Sequence, residues 1–386
     1  PLPFTYTGAG KGTRVNKEGL IEVVENDRPR IDYLDSEDGV FLLEKAATNY
    51  VTYSEDFTQT SFWNANSNVA ISMNYKSPDG TLNASKIIPN TINSQHSIKA
   101  TGQLSNNRYN YTVYVKPSGN SFFQIANQST SDYVNFNLDN GTYFKSNSND
   151  EVSIDYFRDG WYRCNVYFAT TFQGVYNVII DNIGSARLEG FIGNNVDGIY
   201  LWGVQAEVNS VASSYIPTQG TIQTRVQETA SGSGNSEVFN SEGVLFTNIA
   251  ANSKGDGYKL ISITDSNSGN SFVSIGMMNS TTQSYKQIRF GGVNLFTDFT
   301  DPINQTSFNK IAIKYKSGDS SFYVNGFEID SSSVTYTTIT PMTELKFSYF
   351  QDGDDFYGKT KEIAYYDEVL TDLELETLTS YRTWEE

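Results

Sequence analysis

The chain is 386 residues long, and 44 Asp and Glu residues against 27 Lys and Arg leave it a formal charge of −17. A field of that sign repels phosphate backbones and anionic lipid surfaces, and no apolar run approaches the ~20 residues of a membrane helix, so nucleic-acid binding and membrane insertion are not expected. One cysteine, Cys164, and one histidine, His96, exclude an internal disulfide and a Cys/His zinc site; with Cys164 read as a buried strand residue and His96 as a surface polar group, Ser-His-Asp and Cys-His catalysis are not expected, which leaves carboxylate or tyrosine chemistry.

The 26 Tyr and 24 Phe, set beside 30 Gly and only 4 Met, favour strands over helices, and Asn, Ser and Thr between short apolar runs supply turns. The expected fold is all-β: two antiparallel, jelly-roll-like β-sandwich domains in tandem behind an extended N-terminal arm. Residues 1–40 are Gly-punctuated and too short to bury a core alone. A strand pair over residues 13–15 and 20–24, turning at Asn16-Lys17-Glu18-Gly19, is expected within this arm. Its expected role is docking onto the following sandwich, a neighbouring subunit or a larger assembly.

Residues 41–226 read as the first sandwich. Tyr109, Tyr111, Val113 and Val115 alternate with Asn110, Thr112, Tyr114 and Lys116, the period of a strand with one buried face. Asp139-Asn140-Gly141 predicts a hairpin, because Asn-Gly readily takes positive φ. Residues 227–236, rich in Gly and Ser, read as a flexible linker. Residues 237–386 read as a second sandwich that ends in a short helix, with Thr371 as its N-cap and Asp372 and Glu374 in its first turn.

Several blocks carry a family likeness. Phe41-Leu42-Leu43-Glu44-Lys45-Ala46-Ala47-Thr48-Asn49-Tyr50, Tyr53-Ser54-Glu55-Asp56-Phe57 and Ser77-Pro78-Asp79-Gly80-Thr81-Leu82-Asn83-Ala84 come first. Asp159-Gly160-Trp161-Tyr162-Arg163, Trp202-Gly203-Val204-Gln205-Ala206-Glu207, Ser214-Tyr215-Ile216-Pro217-Thr218 and Thr224-Arg225 follow. Together they resemble, over residues 30–226, the carbohydrate-binding-module-like sandwich of bacteriophage tail and head fibre proteins. Residues 310–329, with Asn325-Gly326 at a turn, and residues 356–374 resemble a concanavalin/laminin-G-like sandwich. The resemblance implies a non-enzymatic virion fibre, made in the host cytoplasm and displayed on the particle surface. Its implied partners are a host surface glycan, other virion proteins through the N-terminal arm, and further copies of itself, a trimer being the favoured homo-oligomer. No cofactor is required, though both families imply a structural calcium. Two other readings stay open: a purely architectural capsid, tail or fibre-linking protein, and a polysaccharide depolymerase or lyase.

Sugar recognition needs flat aromatic faces beside planar polar groups. Trp63, between Phe62 and Asn64 on a polar stretch, is the surface candidate among the tryptophans, whereas Trp161 and Trp202 are expected in the core; Trp384 is the fourth. Tyr133, Tyr156 and Tyr349 are further candidate platforms. Asp352, Asp354 and Asp355 put three carboxylates on one loop, the ligand type of calcium, and Glu55, Asp56 and Glu207 form a weaker candidate set. Asp372-Leu373-Glu374-Leu375-Glu376 would line a hydrolase cleft if it were a strand, but on a helix its carboxylates diverge. Cys164 is expected as a small buried residue and His96 as a surface polar group.

Overall fold

The computed structural model describes residues 3–265, 269–296, 302–337 and 340–381, so Trp384 lies outside the described residues. It is built from antiparallel strands, with one short helix among the described residues. No helix among them is long and apolar enough to cross a membrane. The chain divides into two compact units, and neither is one continuous stretch.

The first sandwich comprises Ala9–Glu25 and Ala46–Val226. Its six-stranded sheet runs in the order Glu151–Arg158, Trp161–Tyr167, Asn110–Ser118, Gly198–Glu207, Ala84–Pro89, Val69–Tyr75. Its five-stranded sheet runs Thr142–Lys145, Tyr133–Asn137, Phe122–Asn127, Val175–Ile180, His96–Ala100. The expected alternation holds: Tyr109, Tyr111, Val113 and Val115 point into the core with Cys164, Phe123 and Phe136. Asp159 and Gly160 both take positive φ (48° and 81°) between the paired residues Arg158 and Trp161, a two-residue turn whose twist suits the flanking strands. Gly141, at φ 67°, closes the hairpin expected at Asn140-Gly141. At Gly203, φ 62°, the register slips by a bulge, so Trp202 faces outward and Val204 faces in.

The second sandwich comprises Pro1–Gly8, Asn26–Lys45 and Gln227–Glu386. Its larger sheet has seven strands: Phe327–Ser332, Ser320–Val324, Asn309–Tyr315, Gly243–Ala251, Gly358–Tyr366, Val40–Leu43 and Arg30–Asp32. The smaller has Val293–Asn294, Ser284–Phe290, Ser271–Met277, Lys259–Thr264 and Glu344–Lys346. Helix Asp372–Thr379 carries the expected cap as a full capping box, Thr371 bonding the Glu374 backbone and Glu374 the Thr371 backbone. Leu375 seats the helix on Val244, Phe246, Ala312 and Tyr323, the sheet's outer face.

Three expected boundaries move. Strand Val40–Leu43, read as the start of the first sandwich, pairs with Gly358–Tyr366 in the second, where Phe41 and Leu43 join the core. The arm of residues 1–40 is not one element: Thr5–Thr7 and Arg30–Asp32 belong to the second sandwich, and the strand pair Thr13–Val15 with Ile21–Val23 belongs to the first. Nor is 227–236 a free linker. Thr229–Ser231 pairs with Thr5–Thr7, and Ala230 is buried. Glu228 is buried too, accepting from Arg30 Nε at 2.6 Å, from Tyr6 Oη at 2.7 Å and from the Glu44 backbone at 2.8 Å. Arg30 also meets Glu44 at 2.8 Å, so this buried cluster ties the scattered segments of the second sandwich together. Polar, Gly-rich composition signals flexibility only where the backbone has no such partners.

Candidate functional site

The four aromatic candidates fall in different surroundings. Trp63 is 1% exposed, packs against Phe57 and Phe62 with both ring centroids 5.0 Å away, and donates its indole N–H to Tyr53 O at 3.1 Å. It is a core residue of the first sandwich, and the surface reading is corrected. Tyr349 is half-buried in the second sandwich, with its ring packed against Phe272 and Phe350 and its hydroxyl on Gln287 at 2.9 Å, which makes it packing rather than a platform. Tyr133 and Tyr156 belong to the first sandwich, and the structure gives them neighbours the sequence did not single out. Strands Thr142–Lys145 and Glu151–Arg158 are the outermost strands of their two sheets, and they follow one another in the chain. Tyr156 is 62% exposed and stands edge-on to Tyr162 at 5.5 Å. Phe144, 46% exposed, lies 6.1 Å from the half-buried Tyr133, and Tyr143 is 44% exposed opposite Phe136. Two edge strands thus present three large exposed aromatic rings, where edges usually carry charge.

A second aromatic surface lies on the outer face of the six-stranded sheet. The hairpin Thr13–Val15 with Ile21–Val23 lies across this face, burying Val15 and Ile21 against Ala84, Tyr114, Trp161, Trp202 and Tyr215. Its ends are fixed by Ile21 N to Pro78 O at 3.1 Å, by Thr13 Oγ1 to Tyr215 O at 2.6 Å and by a bond from Arg158 to Glu18 O. The tryptophan expectation holds here, since Trp161 and Trp202 are both buried. Beside the hairpin a shelf stays open. Tyr200 and Tyr75, both half-buried, pack at 4.9 Å, with Trp161 6.4 Å from Tyr200. Across the strands Ser72 stands opposite Lys86, Lys86 opposite Tyr200, and Tyr200 opposite Lys116. Sequence reading missed Tyr200, although Ile199 and Leu201 on either side carry the period-2 signal that turns it outward.

Most of the acidic candidates are engaged elsewhere, while Asp354 contributes its backbone carbonyl, which accepts from Leu260 N–H at 3.1 Å. Asp352 pairs with Lys346 Nζ at 2.8 Å, while Asp355 accepts from Tyr357 Oη at 2.9 Å and burial raises its pKa. Among the described residues no group of three His, Cys, Asp or Glu side chains is placed to hold a metal ion. Glu55 accepts from Tyr215 and Asn83, both at 2.8 Å; Asp56 accepts from Thr58 and Gln59. Glu207 is fully buried and satisfied by Gln205, Asn209 and Ser213. On the helix, Glu374 is used in the cap and Asp372 lies 3.3 Å from Lys314. His96, expected at the surface, is buried with its ring nitrogens 2.7 and 2.8 Å from the carbonyl oxygens of Asn68 and Phe191. Cys164 is buried as expected, which pushes its thiol pKa far up.

No family model and no curated protein matches the chain. Among solved structures it is similar to a heptameric SAP-like pentraxin from Limulus polyphemus, at 15% identity, over 36% of this chain and 70% of that one, with a TM-score of 0.30. A sialidase CBM40 from Ruminococcus gnavus, solved with α2,3-sialyllactose, matches at 16% identity over 39% of this chain and 94% of its own, with a TM-score of 0.31. Domains LG4-5 of mouse laminin α1 match at 13% identity over 72% and 90%, with a TM-score of 0.28. Likenesses this distant do not bear on what the chain binds.

Proposed function

We propose that the protein is a non-enzymatic glycan-binding component of a bacteriophage virion, a tail or head fibre that attaches the particle to its bacterial host. The observation that carries the binding half is the exposed aromatic edge of the first sandwich, Tyr143, Phe144 and Tyr156. Exposed rings offer C–H stacking faces to sugars, and holding several large aromatics in water without a ligand is unfavourable. The virion half rests on the sequence blocks of residues 30–226. The engagement of His96, Cys164 and most of the acidic candidates in packing and local hydrogen bonds supports binding over hydrolysis. In a symmetric oligomer, a trimer being favoured, repeated weak contacts add up to useful avidity.

Screening the full chain on a glycan array tests this. Retained glycans without released oligosaccharide are expected, with Tyr156→Ala weakening capture about two- to tenfold, the worth of one aromatic contact. Released reducing ends, or capture indifferent to Tyr156, would overturn it. One observation favours an architectural role instead: Phe327 and Ile329 are exposed on edge strand Phe327–Ser332 of the second sandwich, where another virion protein could add a strand. Under that reading the array stays blank, and partner addition protects this strand's amides from hydrogen exchange.

A further inference from the structure

We propose that the shelf beside the hairpin, on the outer face of the six-stranded sheet, is a separate site for acidic saccharides, with Tyr200 stacking on a sugar ring and Lys86 and Lys116 holding its carboxylate. Only the ligand class rests on the glycan reading above; the surface and its charge are different.

Register comes first. Lys86 and Lys116 stand directly opposite Tyr200 on its two neighbouring strands. At the usual strand spacing of about 4.8 Å, the two backbone positions flank that of Tyr200 and lie roughly 10 Å apart, within reach of one sugar unit for two long, flexible side chains; the Lys116 stem itself lies over Gly160. Charge comes second. Three of the buried lysines are paired with acids: Lys314 with Asp319 and Asp372, Lys346 with Asp352, Lys286 with Asp330. Lys86 and Lys116, by contrast, make no ion pair or side-chain hydrogen bond among the described residues, and Lys86 Nζ lies 5.9 Å from the Tyr200 ring centroid. Two cations without an ion pair, on the strands either side of Tyr200, stand out in a chain where acids outnumber bases 44 to 27. Only an acidic ligand gains from that. Preorganisation is the third observation. Tyr75 and Trp161 brace Tyr200, and the hairpin walls one side, so little side-chain freedom is lost on binding. A nucleic acid, with a charge about every 3.4 Å of each strand, would meet two cations inside a repelling field, whereas a saccharide with one carboxylate per ring matches them.

Calorimetric titration of the full chain tests the site, using a uronate-, a sialate- and a pyruvate-ketal-bearing oligosaccharide beside a neutral one of equal length. At least one acidic oligosaccharide should bind. Lys86→Gln and Lys116→Gln should each weaken it about fivefold, the upper end for an exposed ion pair, and the double variant should lose it. Salt near 1 M, where the Debye length is about 3 Å, should abolish binding. Tyr200→Ala should lose it too, while Tyr200→Phe, which keeps the ring, should not. The lysine variants should melt close to the parent, since those side chains have no ion pair or hydrogen bond to lose. The proposal is overturned if none of the three acidic ligands binds, if the double variant binds as well as the parent, or if the neutral ligand binds equally and indifferently to salt. Neutral-glycan capture that depends on Tyr156 would leave the edge reading standing when this one falls.

Discussion

Lys259 is buried at the start of a core strand, with its ammonium 3.1 Å from Gly257 O and 3.4 Å from Asp256 O. Burial brings its pKa down to about 8, partly offset by Asp256 and reinforced by Lys45. The folded state therefore releases this proton before the unfolded chain does. Below pH 8 the lysine is charged in both states and folding carries the full desolvation cost; stability then rises with pH until the unfolded lysine also titrates near 10.5. The gap of about 2.5 pH units amounts to about 3 kcal/mol at most. Lys259→Met should raise the melting midpoint at pH 7 and flatten the rise between pH 8 and 10, read by thermal melts across that range; an unchanged slope would assign the rise to other groups. Single residues were unevenly legible. Cys164 read correctly because its strand alternates cleanly. Trp63 did not, because its polar neighbour Asn64 turns away to bond the Thr101 backbone while the indole fills the core.

At the scale of elements, strands and turns followed from local chemistry: alternation marked Asn110–Ser118, Asn140-Gly141 marked a hairpin, and Thr371 marked the helix. The hairpin of residues 13–23 was legible as a hairpin, but its seat was not, because the residues it covers lie at 84, 114, 161, 202 and 215. Its Val15 and Ile21 form an aromatic cluster separate from the main core of the first sandwich. Ile21→Asp should therefore unseat the hairpin while leaving the sandwich folded. The expected readout is a red shift of tryptophan emission as Trp161 and Trp202 meet water, with new protease cleavage near residues 16–19 and far-ultraviolet dichroism retained. Global unfolding of the variant would show instead that the two clusters are one cooperative unit.

Across the whole molecule the all-β class was readable from composition, and the discontinuity of the units was not. A strand reveals its period but not its partner, and Phe41 pairs with Thr360 across more than 300 residues. The chain passes between units four times, after residues 8, 25, 45 and 226. A fragment of residues 227–386 alone lacks Val40–Leu43 and Arg30, leaving Gly358–Tyr366 as a raw edge and Glu228 as a buried unpaired charge, a loss of about 3 to 5 kcal/mol from the charge alone. It should be insoluble or molten, and joining residues 1–45 to it through a flexible tether should restore a sharp melt; a well-folded bare fragment would contradict the interleaving. Synthesis runs from the N-terminus, so the same threading sets an order of events at the ribosome. The first sandwich has every strand once residue 226 emerges. Phe41-Leu42-Leu43, released early and greasy, must wait in the nascent chain until Gly358–Tyr366 has been translated, which makes that short stretch the natural ground for chaperone capture.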